Sequence, residues 1–520
     1  MKLSGDHHLT TPSPGRAMDR VTWLLLAACV ALFLALRFRW LGHLLVWDEA
    51  MALCTARAFD AGGDDPFAAW FWRHPPLHTL LLLGLQPLQA GFAERAEILS
   101  ILVGVVNQLL LFQLSRRVFG VATGLWSAFV VALLPGSALF DVWIKQDHLV
   151  ATFGLLALLA LVSRRTLWCG VCLGLALLTK GTAAFYCFAA FALWLGGACG
   201  RRTVKDFFLL TGISALTCGW WYLGVLPRAR VPGGNDVFQF AMNAQTLWHS
   251  DWTFYFAQLP VLLGWAGVAM AVAGAAWAVH AWFKDRADAD GLPSAWSVWP
   301  LTVLVPALVL ISIVPNKVPW IVISLLPAWA ALVALAVNEA TKWLDKISFT
   351  RTPWLRPALI AACAVVVAGA MLTASTRDYE PMLCRVAESQ WRGAANSKEA
   401  AEILNRNVRD DDRVLITSFY YWQGLPPGLP DPIFTYYLVK KPIVLLRSHQ
   451  RPFGDVVADI REHQLDWALL SPEPGQAASV LFAGFEQVLG LPPQRTTGAW
   501  LFRTTEVHRR LTADTARADR

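Results

Sequence analysis

The sequence predicts a polytopic α-helical membrane protein that ends in a small α/β domain, and three observations carry this reading. Of its 520 residues, 56% are hydrophobic and 16% charged, far from the balance of a soluble domain. Uncharged stretches recur down the chain, each near the roughly 17 to 25 residues a helix needs to cross hydrocarbon. From about Arg377 charged and polar residues return.

The apolar stretches fall near residues 21–38, 97–115, 118–140, 147–163, 166–180, 182–199, 207–227, 257–283, 297–315, 319–338 and 357–375, which predicts about eleven transmembrane helices. The segment 75–93 is also apolar, but Pro75, Pro76, Gly84, Pro87 and Gly91 interrupt it. It reads as an interfacial or re-entrant element. Cations fall in alternate loops: Arg16 and Arg20, Arg116 and Arg117, Arg164 and Arg165, Arg201, Arg202 and Lys205, Lys284 and Arg286, then Lys342, Lys346, Arg351 and Arg356. By the positive-inside rule these loops are cytoplasmic. The expected layout is a cytoplasmic tail (1–20), a transmembrane domain (21–376) with outer loops at 39–96 and 228–256, and a periplasmic or extracytoplasmic domain (377–520). The first run ends in "LALRFRWLG", without a small-residue cleavage site, so a retained anchor in the inner (plasma) membrane is expected.

The C-terminal part alternates helix-like "SKEAAEILNRNV" with extended "DRVLITS", "KPIVLLR", "LDWALLS" and "AWLFRT", a pattern of a small α/β domain. No glycine-rich phosphate loop follows these strands. Most of the nine cysteines lie inside apolar runs, and Cys169 and Cys172 have CxxC spacing without a second pair. Packing explains them better than metal. The net charge of +7 is dispersed between the apolar runs, which argues for membrane topology and against nucleic acid.

On the expected outer side stand Asp48 and Glu49, Arg73 and His74, Asp141, Lys145 and Asp147, Lys180, His249 and Asp251, and Lys317. Charge at membrane depth is costly, so Lys180 and Lys317 read as parts of a site. Asp48 and Glu49 also suit a helix start, where unpaired N–H groups favour carboxylates.

These residues sit in "VWDEA", "WRHPPLHTLLLLG", "GFAERAEILSILVGVV", "LSRRVFG", "KQDHLVATF", "GLALLTKG", "LWHSDWTFYFAQLPVLLGW" and "PNKVPWIVISLLPAW". In this order, over roughly residues 20–340, they resemble the GT-C membrane glycosyltransferases, specifically the group of the protein O-mannosyltransferases and the lipid A aminoarabinose transferase. His74-Pro75-Pro76-Leu77 looks like the O-mannosyltransferase form. The resemblance implies the GT-C fold and transfer of a sugar from a polyprenyl-phosphate donor to a lipid, glycan or protein acceptor. It places the catalytic carboxylate at Asp48 and a second acidic position at Asp147, and it brings a divalent metal (Zn, Mg or Mn) into view.

The chemistry agrees with that expectation. A phosphate leaving group departs readily once its charge is neutralised, so the acid that protonates a sugar leaving oxygen in glycosidases is unnecessary. One base is needed for the acceptor, a contribution of about 10²- to 10⁴-fold, and Asp48 is the candidate. Successive helical residues point about 100° apart, which leaves Glu49 an orienting or capping role. Lys180, Lys317, Arg73 and His74 are the candidate phosphate partners. His249, with Asp48 or Asp147, is the candidate metal set. Trp248, Trp252, Phe254, Tyr255 and Phe256 are either an interfacial belt or stacking surfaces. The competing reading, a transporter or flippase, calls for paired interrupted helices and internal repeats. No repeat is evident.

Overall fold

A computed structural model describes residues 18–61, 67, 71, 74–86, 91–196, 204–225, 251–284, 294–314, 319–346, 355–375, 396–418, 431–439, 443–448, 453–470, 494–495 and 500–504. The chain forms two compact units. One comprises Met1–Gly42, Trp72–Arg230 and Asp236–Val386; the other His43–Phe71, Val231–Asn235 and Ala387–Arg520.

The helices in chain order are α1 (Arg20–Phe38), α2 (Trp47–Ala61), α3 (Leu77–Leu85), α4 (Phe92–Phe119), α5 (Val121–Leu133), α6 (Pro135–Phe140), α7 (Asp147–Val162), α8 (Thr166–Thr179), α9 (Ala184–Leu195), α10 (Val204–Gly219), α11 (Phe254–Lys284), α12 (Trp299–Ile313), α13 (Leu326–Lys346) and α14 (Leu355–Ser375). All but α2 belong to the first unit. Among the described residues six stretches are long and apolar enough to cross a membrane: Arg20–Phe38, Phe92–Phe119, Val204–Val225, Phe254–Lys284, Ala295–Ile313 and Trp320–Leu344. Shorter apolar helices, Val121–Leu133, Asp147–Val162, Thr166–Thr179, Gly181–Leu195 and Ile360–Gly369, stand at the other expected places. Helix α3 has nine residues, about 14 Å of rise, too short to cross.

Burial sorts these helices. The window within Trp320–Leu344 is 83% buried and makes the centre of its unit, whereas those of α1 and α11 are 28% buried. Leu24, Leu216, Leu223 and Trp265 are exposed, as residues that meet lipid are. Close approach depends on small residues. Gly170 and Gly174, one turn apart on α8, lie against Leu210 and Thr217 of α10. Cys169 is buried in the same interior. Helix α11 kinks at Gly264, whose φ of 72° suits glycine.

The second unit holds α2, a helix over 396–407 (α15), α16 (Pro432–Tyr437), α17 (Phe453–Glu462) and a sheet. Its strands are β1 (Arg413–Ser418), β2 (Ile443–Ser448), β3 (Trp467–Leu470), β4 (Gln494–Arg495) and β5 (Trp500–Arg503), in the order β2-β1-β3-β5-β4. β1 pairs parallel with β2 and β3, and β5 pairs antiparallel with β3 and β4. Parallel neighbours require crossovers, and α16 and α17 provide them. Leu404, Val414, Ile416, Phe434, Leu469 and Leu501 form the core.

Gly274 sits at a close contact between α11 and α13. A Cβ there would lie 2.0 Å from the Leu332 carbonyl oxygen, so Gly274→Ala is expected to lower the thermal midpoint in detergent, overpacking costing about 1–3 kcal/mol. Gly212→Ala, with open space around it, is the matched control.

Candidate functional site

The first unit gathers charge through a helical hairpin. α7 and α8 are joined by residues 163–165, with Arg164 turning the chain at φ 57°. The N-terminus of α7 and the C-terminus of α8 therefore meet at one end. Asp147 opens α7, Lys180 follows α8, and each sign suits its helix dipole. Lys180 Nζ donates to Asp147 Oδ2 at 2.8 Å and Oδ1 at 3.0 Å. Asp147 is fully buried, while the Lys180 side chain is 18% exposed. Two residues assigned separate roles from sequence are thus one ion pair.

Beside it lies a second pair that the sequence reading did not find. α5 stops at Leu134 because Pro135 follows, and Pro135 starts α6. The break frees carbonyls at the end of α5. Arg37, fully buried at the end of α1, donates to the Val131 carbonyl at 3.1 Å and to that of Ala132. Its guanidinium also reaches Asp141 Oδ2 at 2.9 and 3.1 Å and Ser137 Oγ at 2.8 Å. His148 donates from Nε2 to the Phe140 carbonyl at 2.9 Å and turns Nδ1 toward Asp141 at 3.6 Å. The one available signal was Arg37 itself, an arginine within the last turn of an apolar run.

Between these pairs Lys145 is buried, its ammonium 4.2 Å from the Trp320 ring centroid and 5.7 Å from that of Trp143, a cation–π arrangement. Lys145, His148, His78, Ser100, Leu82 and Val103 line a small cavity. Burial pushes the His78 imidazole down to about 3, and the charges of His148, Lys145, Lys180 and His74 add to this.

In the second unit Asp48 and Glu49 occupy the first turn of α2, and their environments differ. Glu49 is fully buried; its carboxylate accepts from the Val46 N–H at 2.9 Å and from His43 Nε2 at 3.1 and 3.2 Å. The reach back to Val46 is the capping-box bond. Asp48 is half-buried. Arg73, His249 and Lys317 lie outside the described residues, as does Trp248. Among the aromatics, Trp252 and Phe256 are exposed and Tyr255 is buried.

Among the described residues the one group of three metal-capable side chains is Asp459, Glu462 and His463 of the second unit. It contains neither Asp48 nor Asp147, and His249, the histidine of the expected metal set, lies outside the described residues.

Two expectations follow. Glu49→Ala removes the cap and leaves His43 facing a void, a loss of about 1–3 kcal/mol; Glu49→Gln, which keeps an acceptor, should lose much less by thermal melting. His78 stays neutral in the folded chain between about 3 and its ordinary 6.5, whereas the unfolded chain binds a proton there. Stability should therefore rise with pH across that window, and His78→Gln should flatten the rise in pH-dependent melts.

The family model described as dolichyl-phosphate-mannose-protein mannosyltransferase matches residues 73–220, a span that holds His74, Asp147 and Lys180 but not Asp48. No curated protein matches the chain. Among solved structures it is similar to ArnT from Cupriavidus metallidurans bound to undecaprenyl phosphate, at 15% identity over 93% of this chain and 98% of that one, with a TM-score of 0.57. The apo state of that protein matches at 15% identity over 92% and 97%, TM-score 0.58. The Archaeoglobus fulgidus oligosaccharyltransferase tethered with an acceptor peptide matches at 13% identity over 89% and 71%, TM-score 0.52. The chain is thus a multi-pass membrane protein with the GT-C fold of membrane glycosyltransferases.

Proposed function

We propose that this protein is a membrane glycosyltransferase that moves a sugar from a polyprenyl-phosphate donor to a lipid, glycan or protein acceptor at the outer face of the inner membrane, with inversion. In this reading the N-terminus is cytoplasmic and residues 377–520 are extracytoplasmic. The observation that carries it is the polar end of the α7–α8 hairpin, where Asp147 holds the Lys180 ammonium and where Lys145, His148 and His78 line one small cavity, within the span that matches the mannosyltransferase family. The undecaprenyl phosphate bound to ArnT supports the donor class.

Asp48 takes the proton from the acceptor hydroxyl or amine. The acceptor atom forms the new bond to the anomeric carbon as the bond to phosphate oxygen breaks, and the electron pair leaves with the polyprenyl phosphate. Lys180, with Lys317, Arg73 and His74, neutralises that developing charge. Asp147 keeps the Lys180 ammonium oriented before the donor arrives. Glu49 sets the start of α2 and thereby the direction of Asp48.

Full-length protein in nanodiscs with a polyprenyl-phosphate sugar tests this. Asp48→Asn should abolish transfer while the melt stays unchanged; full turnover would sink the base assignment. Lys180→Ala alone leaves Asp147 buried and unpaired, a loss of about 3–5 kcal/mol in stability. The informative variant is therefore Asp147→Asn with Lys180→Met. Its stability should recover while donor affinity stays at least about ten-fold weaker, roughly 1.4 kcal/mol. Recovery of both would make the pair purely structural.

A further inference from the structure

We infer that the C-terminal α/β domain is the mount for the catalytic helix: α16 grips α2 and sets the position of Asp48, with Tyr436 and Arg57 as positioning residues. The inference rests on the reading of Asp48 as the base, and it assigns the domain a part in turnover rather than a passive one.

The argument begins with α2 itself. Its 15 residues include Asp48, Glu49, Arg57 and Asp60, so it is no membrane span, and an isolated helix of this length is marginal in water. It must dock to persist. Met51, Cys54 and Ala58 follow at helical spacing along α2, are buried, and pack with Phe67 against Tyr436 of α16. Three further contacts fasten α2 and the residues just before it. The Leu45 N–H donates to Tyr437 Oη at 3.5 Å, Cys54 Sγ donates to the Pro432 carbonyl at 3.4 Å, and the Arg57 guanidinium lies 4.3 Å from the Tyr436 ring centroid. Leu45 and Tyr437 are 392 residues apart.

A grip is useful only if the gripping element is itself fixed, and α16 is fixed from several directions. Asp431 caps it, accepting from Ile433 N at 2.7 Å and Phe434 N at 3.2 Å, and Ser397 donates to the same carboxylate. Asn405 donates to the Tyr437 carbonyl at 2.9 Å and accepts from Val439 N at 2.9 Å. Phe434 sits in the sheet core. The six-residue helix therefore has one side in the α/β core and another on α2, and Asp48 stands one turn before Met51.

A displacement of about 1 Å in a catalytic group can cost 10²-fold. Tyr436→Ala should lower kcat at least about ten-fold with KM for the donor unchanged, because the donor's partners lie elsewhere. Tyr436→Phe, which retains the ring, should restore kcat. Hydrogen exchange of the full-length variants separates this from unfolding: Tyr436→Ala should speed exchange over residues 47–61 and leave α7 and α8 as in the wild type. Wild-type kcat in Tyr436→Ala, or a lost kcat with unchanged exchange over 47–61, would overturn the mount. Should Asp48→Asn prove active, the base assignment fails; exchange in Tyr436→Ala would still report whether α16 holds α2.

Discussion

In hydrocarbon a backbone carbonyl without a partner costs several kcal/mol, because no water is present to accept the loss. The break at Leu134 and Pro135 creates that problem at the end of α5, and Arg37 resolves it. One guanidinium serves the Val131 and Ala132 carbonyls, Ser137 and Asp141. The turn between α6 and α7 then follows, with Asp141, Trp143 and Lys145 all buried. Asp147 begins α7 from a position that this network has already determined. The polar end of the first unit thus hangs on a capping interaction between Arg37 of α1 and the Ala132 carbonyl, 95 residues later, just before the proline break.

Buried ion pairs of this kind are poor stabilisers in net terms, since desolvation offsets much of the Coulombic gain. Their value is in specificity of arrangement. Arg37 is tied to Asp141 and Lys180 to Asp147, and His78 is held neutral near them. A site that must receive an anionic group needs cations already oriented, since orientation during the reaction would raise the barrier. Under the proposed donor role, Asp147 would meet that need for Lys180.

The adjacent carboxylates at the start of α2 show how one residue of separation divides labour. Glu49 turns inward to Val46 and His43 and is spent on the helix start, so the capping reading of the pair is correct for Glu49. Asp48, about 100° away around the helix, keeps its half-exposed position. The helix itself belongs to the unit of the C-terminal domain, so a short helix near the start of the chain takes its support from residues beyond 430.

Much was legible in the sequence: apolar runs marked the helices, "DRVLITS" and "LDWALLS" lie over β1 and β3, and the motif series pointed to the GT-C fold that the solved structures share. These features are local, because hydrophobic periodicity and span length are properties of a short window. The partners of the charges were not legible. Asp147 with Lys180 spans 33 residues, Arg37 with Asp141 spans 104, and Leu45 with Tyr437 spans 392. Even the 33-residue pairing required knowing that α7 and α8 turn back on each other at Arg164. Sequence by itself determined which residues carry charge into an apolar chain; only tertiary structure decided which charge meets which, because that depends on how helix ends come together in space.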